Sequence, residues 1–284
     1  IQERGPKQEI YFQERFEAAH QLQVKGGNPN LQEAEGVLTG LWAELVTREE
    51  TEVIRGGLEL QVQTLNERGL VRRMLLNYGA AENDFRFARQ LAHDAGDQEG
   101  ELVAVVGLID LHRTGGRDSR FGRNFTKATV WQKEAKKVMA GINEPGLAVV
   151  KAYENFGLLA RDRSASKKVS GVSRQSYKRA ALRHYTEAEE LCSRLLVQDK
   201  DNSDLQNRRA RVLTTKGVVY RELGQLDQAI DYQMQAYRAY RPLGDTRGMG
   251  NAAGALGGLY EQIGKRDLAI LWYEKSLLAG LQEG

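Results

Sequence analysis

Apolar residues recur at three- and four-residue intervals along most of this chain, the spacing that gathers side chains onto one face of a helix. The clearest case is 178–195, where Ala181, Tyr185, Ala188, Leu191 and Leu195 keep that interval. Val103 to Ile109, with Leu111, reads as another helix ending at Gly115-Gly116, and Phe87 to Ala95 as the helix before it, closed by Gly96-Asp97. Further helices are predicted at 8–24, 31–46, 51–66 and 69–79, with Gly26 to Asn30 as the first break, and a long helix begins near Arg208. The alternation of Val, Ile and Thr that marks strands is scarce, so roughly a dozen helices and no sheet are expected.

Towards the C-terminal end the pattern becomes a repeat. Gly217-Val218-Val219-Tyr220 leads to Gly224, Ala229-Ile230 and Ala236; forty residues later Gly257-Gly258-Leu259-Tyr260 leads to Gly264, Ala269-Ile270 and Ser276. Small residues at matched offsets describe stacked helical hairpins. Gly217 and Gly257 let a first helix approach a second, Ala229 and Ala269 keep the facing wall short, and Tyr220 and Tyr260 fill the space between layers. Asp227 and Asp267 fall near the start of the second helices, where a carboxylate meets free amides. A weaker copy has Phe156-Gly157 and Ala160 in its first helix and Ala181, Tyr185 and Ala188 in its second. Between them Arg163 to Arg174 is polar and basic, longer than a turn requires, and reads as a loop.

These offsets resemble the tetratricopeptide repeat, which has a large residue, Leu-Gly and Tyr in its first helix and Ala, an aromatic and Ala in its second. The last copy supplies Ala253, Leu256, Gly257, Tyr260, Gly264, Ala269, Tyr273 and Ser276; the copy before it departs with Lys216 for the Leu and Gln233 for the aromatic. The resemblance implies an all-α, right-handed superhelical solenoid of antiparallel hairpins, with repeats of the long-helix kind found in scaffold, adaptor and sensor proteins. Divergent helical repeats are expected over 1–116, a loop over 117–129, and repeats like the family's over 130–284 with a basic insertion near 162–176.

In that family the first helices line a concave groove, and aligning Gly157, Gly217 and Gly257 assigns its positions here. Lys151, Arg211 and Asn251 share one; Glu154, Thr214 and Gly254 the next; Leu158, Val218 and Gly258 the third; Arg161, Arg221 and Glu261 the fourth. Lys151, Arg161, Arg211 and Arg221 would form a basic strip suited to an acidic peptide segment or helix. Thr214 and Asn251, with Asn155 at a place where scaffold members carry Asn, complete the expected partner-binding set. The Asn of members that clamp chaperone tails is replaced by Leu158, Val218 and Gly258, which argues against that role. Gly254, Ala255, Gly257 and Gly258 form a smooth stretch that either receives a partner helix or allows close packing.

Composition changes this picture little. The net charge of +3 is a mild excess, so nucleic-acid binding through Arg161 to Arg183 is an alternative to protein binding, and a ligand-responsive sensor module is another. Cys192 stands alone, which excludes an internal disulfide and suits a reducing, cytoplasmic compartment. His20, His93, His112 and His184 show no metal-ligand spacing, and no nucleophile has a local base, so no cofactor, metal or catalytic site is expected. No apolar run is long enough for a membrane span. The chain opens on Ile1 and not on methionine, which reads as a shortened or processed start that an address sequence could have preceded.

Overall fold

A computed structural model describes residues 6–49, 55–115, 122–167 and 169–281. Among these residues there are twelve α-helices and no strand. They fall into two compact units, Ile1–Glu144 and Pro145–Gly284.

The first unit holds α1 (Pro6–Lys25), α2 (Asn28–Glu49), α3 (Arg55–Met74), α4 (Tyr78–Ala95), α5 (Gln98–Thr114) and α6 (Phe125–Gly141). The second holds α7 (Leu147–Ser164), α8 (Gly171–Gln198), α9 (Ser203–Glu222), α10 (Leu226–Tyr240), α11 (Thr246–Gln262) and α12 (Arg266–Leu281). Each unit is a stack of three antiparallel hairpins, and the first helices touch in turn: α3 meets α1 and α5, and α9 meets α7 and α11. The all-helical hairpin fold expected from the repeat is therefore present in both.

Local chemistry sets the helix ends. Asn77, Asp97, Asn124, Asn202 and Asp245 each accept a hydrogen bond from the amide three residues on, satisfying one of the free donors at a helix start. Gly224 and Gly264 both turn with φ of 77°, the left-handed backbone that closes the first helix of each C-terminal hairpin. Asp227 and Asp267 lie in the first turns of α10 and α12, not at their caps.

Three sequence expectations change. The helices predicted at 51–66 and 69–79 form one helix, α3, which runs through Gly69 and stops at Met74. Gly69 is a packing position: a Cβ there would meet the Phe85 ring at 2.8 Å. The loop expected over 117–129 is shorter, because Asn124 caps α6 and helix begins at Phe125; residues 116–121 lie outside the described residues. The compact units then divide after Glu144, one helix beyond that loop. The insertion near 162–176 is mostly helix, since α7 runs to Ser164 and Ser170 caps α8. Its sequence is polar because 171–176 are exposed, so the helix there has no apolar face to bury.

One steric device recurs. A Cβ on Gly69, Gly217 or Gly257 would collide with the residue sixteen positions later, Phe85, Gln233 or Tyr273, at 2.6–2.8 Å. A Cβ on Gly157 would strike the Tyr185 ring across the longer α7–α8 connection. Phe85 is approached by two glycines, because Gly107 on α5 is also pressed against its ring. Around Gly69, Leu65, Ala81, Phe85 and Ala88 occupy the offsets that Leu213, Ala229, Gln233 and Ala236 occupy around Gly217. The notch and its flanking offsets thus recur in the first unit.

The fit at each notch predicts an order of sensitivity. Phe85 is 2% exposed and cannot yield, whereas Tyr273 is 42% exposed and can swing outwards. Gly69→Ala should destabilise the chain by about 2 kcal/mol, net of the roughly 1 kcal/mol that Ala gains over Gly in a helix. Gly257→Ala should fall within about 1 kcal/mol of the parent. Urea denaturation followed by circular dichroism gives both values, and equal losses would contradict the account.

Candidate functional site

The residues expected to line a groove lie on three adjacent helices of the second unit, but in different environments. Arg211 and Arg221 on α9 and Asn251 on α11 are exposed. Lys151 is half-buried on α7, and its carbonyl accepts a hydrogen bond from Asn155 Nδ2 at 3.0 Å. Asn155 is therefore spent on its own helix, with a buried Oδ1 that has no hydrogen-bond partner among the described residues.

Two other positions belong to the packing. Thr214 Oγ1 donates to the Ala210 carbonyl at 3.0 Å and approaches Tyr240 Oη at 3.4 Å, while the Thr214 carbonyl accepts from Gln233 Nε2 at 3.0 Å. It is part of the α9–α10 seam. Arg161 Nε donates to Glu222 Oε1 at 3.1 Å, so this member of the basic strip is neutralised by α9. The expected strip is thus narrower than the sequence suggests, because partners distant in the chain take up its charge.

Those partners form a pattern. Glu154 on α7 is buried and accepts from Arg208 on α9 at 2.7 Å. With Arg161–Glu222 it makes two ion pairs from one first helix to the next. A third joins Lys216 on α9 to Glu189 on α8 at 2.6 Å. Lys216 stands where the family carries Leu and is 3% exposed, with its ammonium over the Tyr232 ring at 4.4 Å. Tyr232 in turn stacks on Tyr220, with centroids 5.1 Å apart. The join to the last hairpin is aromatic instead: Tyr237 meets Trp272 edge-on at 5.2 Å, and Lys275 covers Trp272 at 4.9 Å.

The smooth glycine stretch of α11 is used for close packing. Beyond the Gly257 notch, a Cβ on Gly254 would meet Ser276 Oγ at 3.2 Å, and Ser276 Oγ donates to the Gly250 carbonyl at 2.8 Å. The α12 backbone therefore lies directly against this stripe.

Burial raises the Cys192 thiol to about 12, reinforced by Glu154, so at neutral pH it is a protonated, inert core group. Burial likewise lowers His112, which has Glu82 3.7 Å away. Among the described residues no three His, Cys, Asp or Glu side chains converge as metal ligands, and no helix is long and apolar enough to cross a membrane.

Residues 208–277 match the family model described as tetratricopeptide repeat. This segment is similar to tetratricopeptide repeats. The matched segment covers most of α9, all of α10 and α11 and most of α12, the two hairpins built on Gly217 and Gly257. Among solved structures, the crystal structure of BtubC (BKLC) from P. vanneervenii is similar, with a TM-score of 0.68 and 17% identity over 89% of this chain and 92% of that one. At that identity the likeness is one of fold. No curated protein matches.

The departure at Lys216 gives a prediction of its own. Burial alone would lower the Lys216 pKa, but the hydrogen bond to Glu189 and the neighbouring Tyr232 outweigh it, and the group lies above its ordinary 10.5. A raised lysine contributes stability that is complete below the unfolded pKa and is lost as pH rises through the folded one. Glu189→Ala should cost about 1–3 kcal/mol by stranding the buried ammonium, and adding Lys216→Leu should recover most of it. The double variant should also lose less stability than the parent between pH 10 and pH 11.5, the range about the ordinary lysine pKa. Additive losses in denaturation experiments would show that the pair is not coupled.

Proposed function

We propose that the second unit is a protein-interaction surface that binds an extended acidic peptide along α9 and α11, with Arg211 and Arg221 as the cationic contacts and Asn251 as a neighbouring polar one. Tetratricopeptide repeats are in general protein–protein interaction modules, and the matched segment contains all three residues. The observation that carries the finer reading is the difference in environment along the strip. Glu154 and Arg161 are tied to α9, and Lys151 is half-buried and engaged, whereas Arg211, Arg221 and Asn251 remain exposed.

The spacing narrows the ligand. Ten residues of helix separate Arg211 from Arg221, about 15 Å along the axis at 1.5 Å per residue. In an extended peptide advancing about 3.3 Å per residue, carboxylates four or five residues apart span that distance. Two exposed cations contribute on the order of 1 kcal/mol each, so they chiefly set orientation and association rate. Half-buried Val218 lies between them and offers an apolar contact for the residues in the middle of the peptide.

A second reading rests on the N-terminal half of α8. From Arg163 to Thr186 the chain has seven Lys and Arg and no Asp or Glu, and Arg174, Arg179 and Arg183 are exposed. That is the charge pattern of a surface for a phosphate backbone.

One titration separates the two. Fluorescence anisotropy would compare a peptide with two glutamates five residues apart, its lysine-substituted counterpart and a single-stranded oligonucleotide. The peptide reading predicts saturable binding of the glutamate peptide alone, weakened at least about tenfold by Arg211→Glu with Arg221→Glu. Glutamate-peptide binding that ignores those changes would overturn it. Steeply salt-dependent oligonucleotide binding lost on Arg179→Glu with Arg183→Glu would put the second reading in its place.

A further inference from the structure

The outer face of α12 is apolar, exposed and in register with a face that the same chain covers one repeat earlier. On α10, Ile230, Met234 and Tyr237 pack half-buried against Ala253, Leu256 and Trp272, with Tyr260 alongside. Nearer the end of α10, Tyr240 and Ala236 meet Ala252, with Met249 packed on the same cluster. Forty residues on, the counterparts of Ile230, Met234 and Tyr237 are Ile270, Glu274 and Leu277. Ile270 is 58% exposed and Leu277 65%, and Leu278 and Leu281 beside them are 60% and 69% exposed. A contiguous apolar patch of this kind marks an interaction site.

The internal template says what shape covers such a face. Over α10 the cover is a helix, α11, that presents Met249, Ala252, Ala253, Leu256 and Tyr260 at three- and four-residue intervals, with alanines where the backbones approach. Charge then narrows the occupant. Glu274 replaces Met234 in the middle of the α12 face, while the neighbouring Lys275 is engaged over the Trp272 and Tyr237 rings. A second copy of α12 laid antiparallel across the first would bring two Glu274 carboxylates together near the crossing, a like-charge contact that opposes pairing. A helix of another protein carrying a cation at that place has no such penalty.

We propose that the Ile270–Leu277–Leu281 face of α12 docks an amphipathic helix of a partner protein that repeats the small-and-large apolar spacing of α11 and sets a lysine or arginine against Glu274. The surface is separate from Arg211 and Arg221, so the two proposals stand or fall independently.

The probe is a seventeen-residue helical peptide, a length taken from α11. It keeps Met, Ala, Ala and Leu at the α11 spacing, in two versions that place Lys or Glu where α11 has Tyr260. Fluorescence anisotropy with the whole chain should show saturable binding of the Lys version, at least about tenfold tighter than the Glu version. Ile270→Glu with Leu277→Glu should abolish it without loss of helical circular dichroism, since both residues are solvent-facing, and Glu274→Lys should reverse the order of the two probes. No saturable binding of either probe overturns the proposal, as does binding that survives the double change. A concentration-dependent dimer in sedimentation equilibrium that the double change dissolves would assign the face to a second copy and overturn the choice of partner.

Discussion

The contact on which the architecture depends is a side chain of a second helix seated on a bare glycine of the first. At Gly69, Gly157 and Gly257 the seated group is an aromatic ring, and at Gly217 it is the amide of Gln233. Removing a β-carbon at one place lets two helix backbones close on each other, and the side chain that fills the notch fixes their register. Phe85 does this twice, against Gly69 within its hairpin and against Gly107 on the next first helix. A ring packed against two glycines couples neighbouring hairpins, so packing within a repeat and stacking between repeats share one side chain. The Gln233 notch is weaker chemistry: its amide nitrogen satisfies the Thr214 carbonyl, but its buried Oε1 has no partner among the described residues.

Charge does a different job in the second unit. Glu154–Arg208, Arg161–Glu222 and Lys216–Glu189 join the hairpin of α7 and α8 to α9, whereas aromatic contacts around Trp272 join the last two hairpins. Buried and half-buried pairs of this sort add little net stability compared with well-packed apolar groups, but breaking one leaves an uncompensated charge. They therefore select one stacking register more than they strengthen it. The same pairs set what is left for a ligand, since each cation used between helices is withdrawn from the surface.

How much of this was legible in the chain depended on whether the deciding partner was near in sequence. The notches at Gly217 and Gly257 were readable because glycine, alanine and tyrosine recur at the same offsets forty residues apart. The equivalent notch at Gly69 is present in the same letters, Leu65, Ala81, Phe85 and Ala88, but the helices predicted at 51–66 and 69–79 divide that first helix just before the glycine. Testing each glycine for a ring sixteen residues later would have found it. The candidate surface was harder to read. Arg161 and Arg221 occupy equivalent positions and look alike in sequence, and only the fold brings Glu222 to one and leaves the other exposed. Thr214 is half-buried for a similar reason, since Tyr240 and Gln233 reach it from the following helix. Exposure is a property of the assembled hairpins, and periodicity within one helix does not contain it.

The claim that a ring on a bare glycine sets the packing is tested most directly by a double-mutant cycle between Gly69→Ala and Phe85→Leu, with unfolding free energies from urea titration. If the two residues compete for the same space, the cost of the added methyl should largely disappear once the ring is gone, a coupling of about 1 kcal/mol or more. Strictly additive losses would mean that Gly69 and Phe85 do not constrain each other, and would contradict the account.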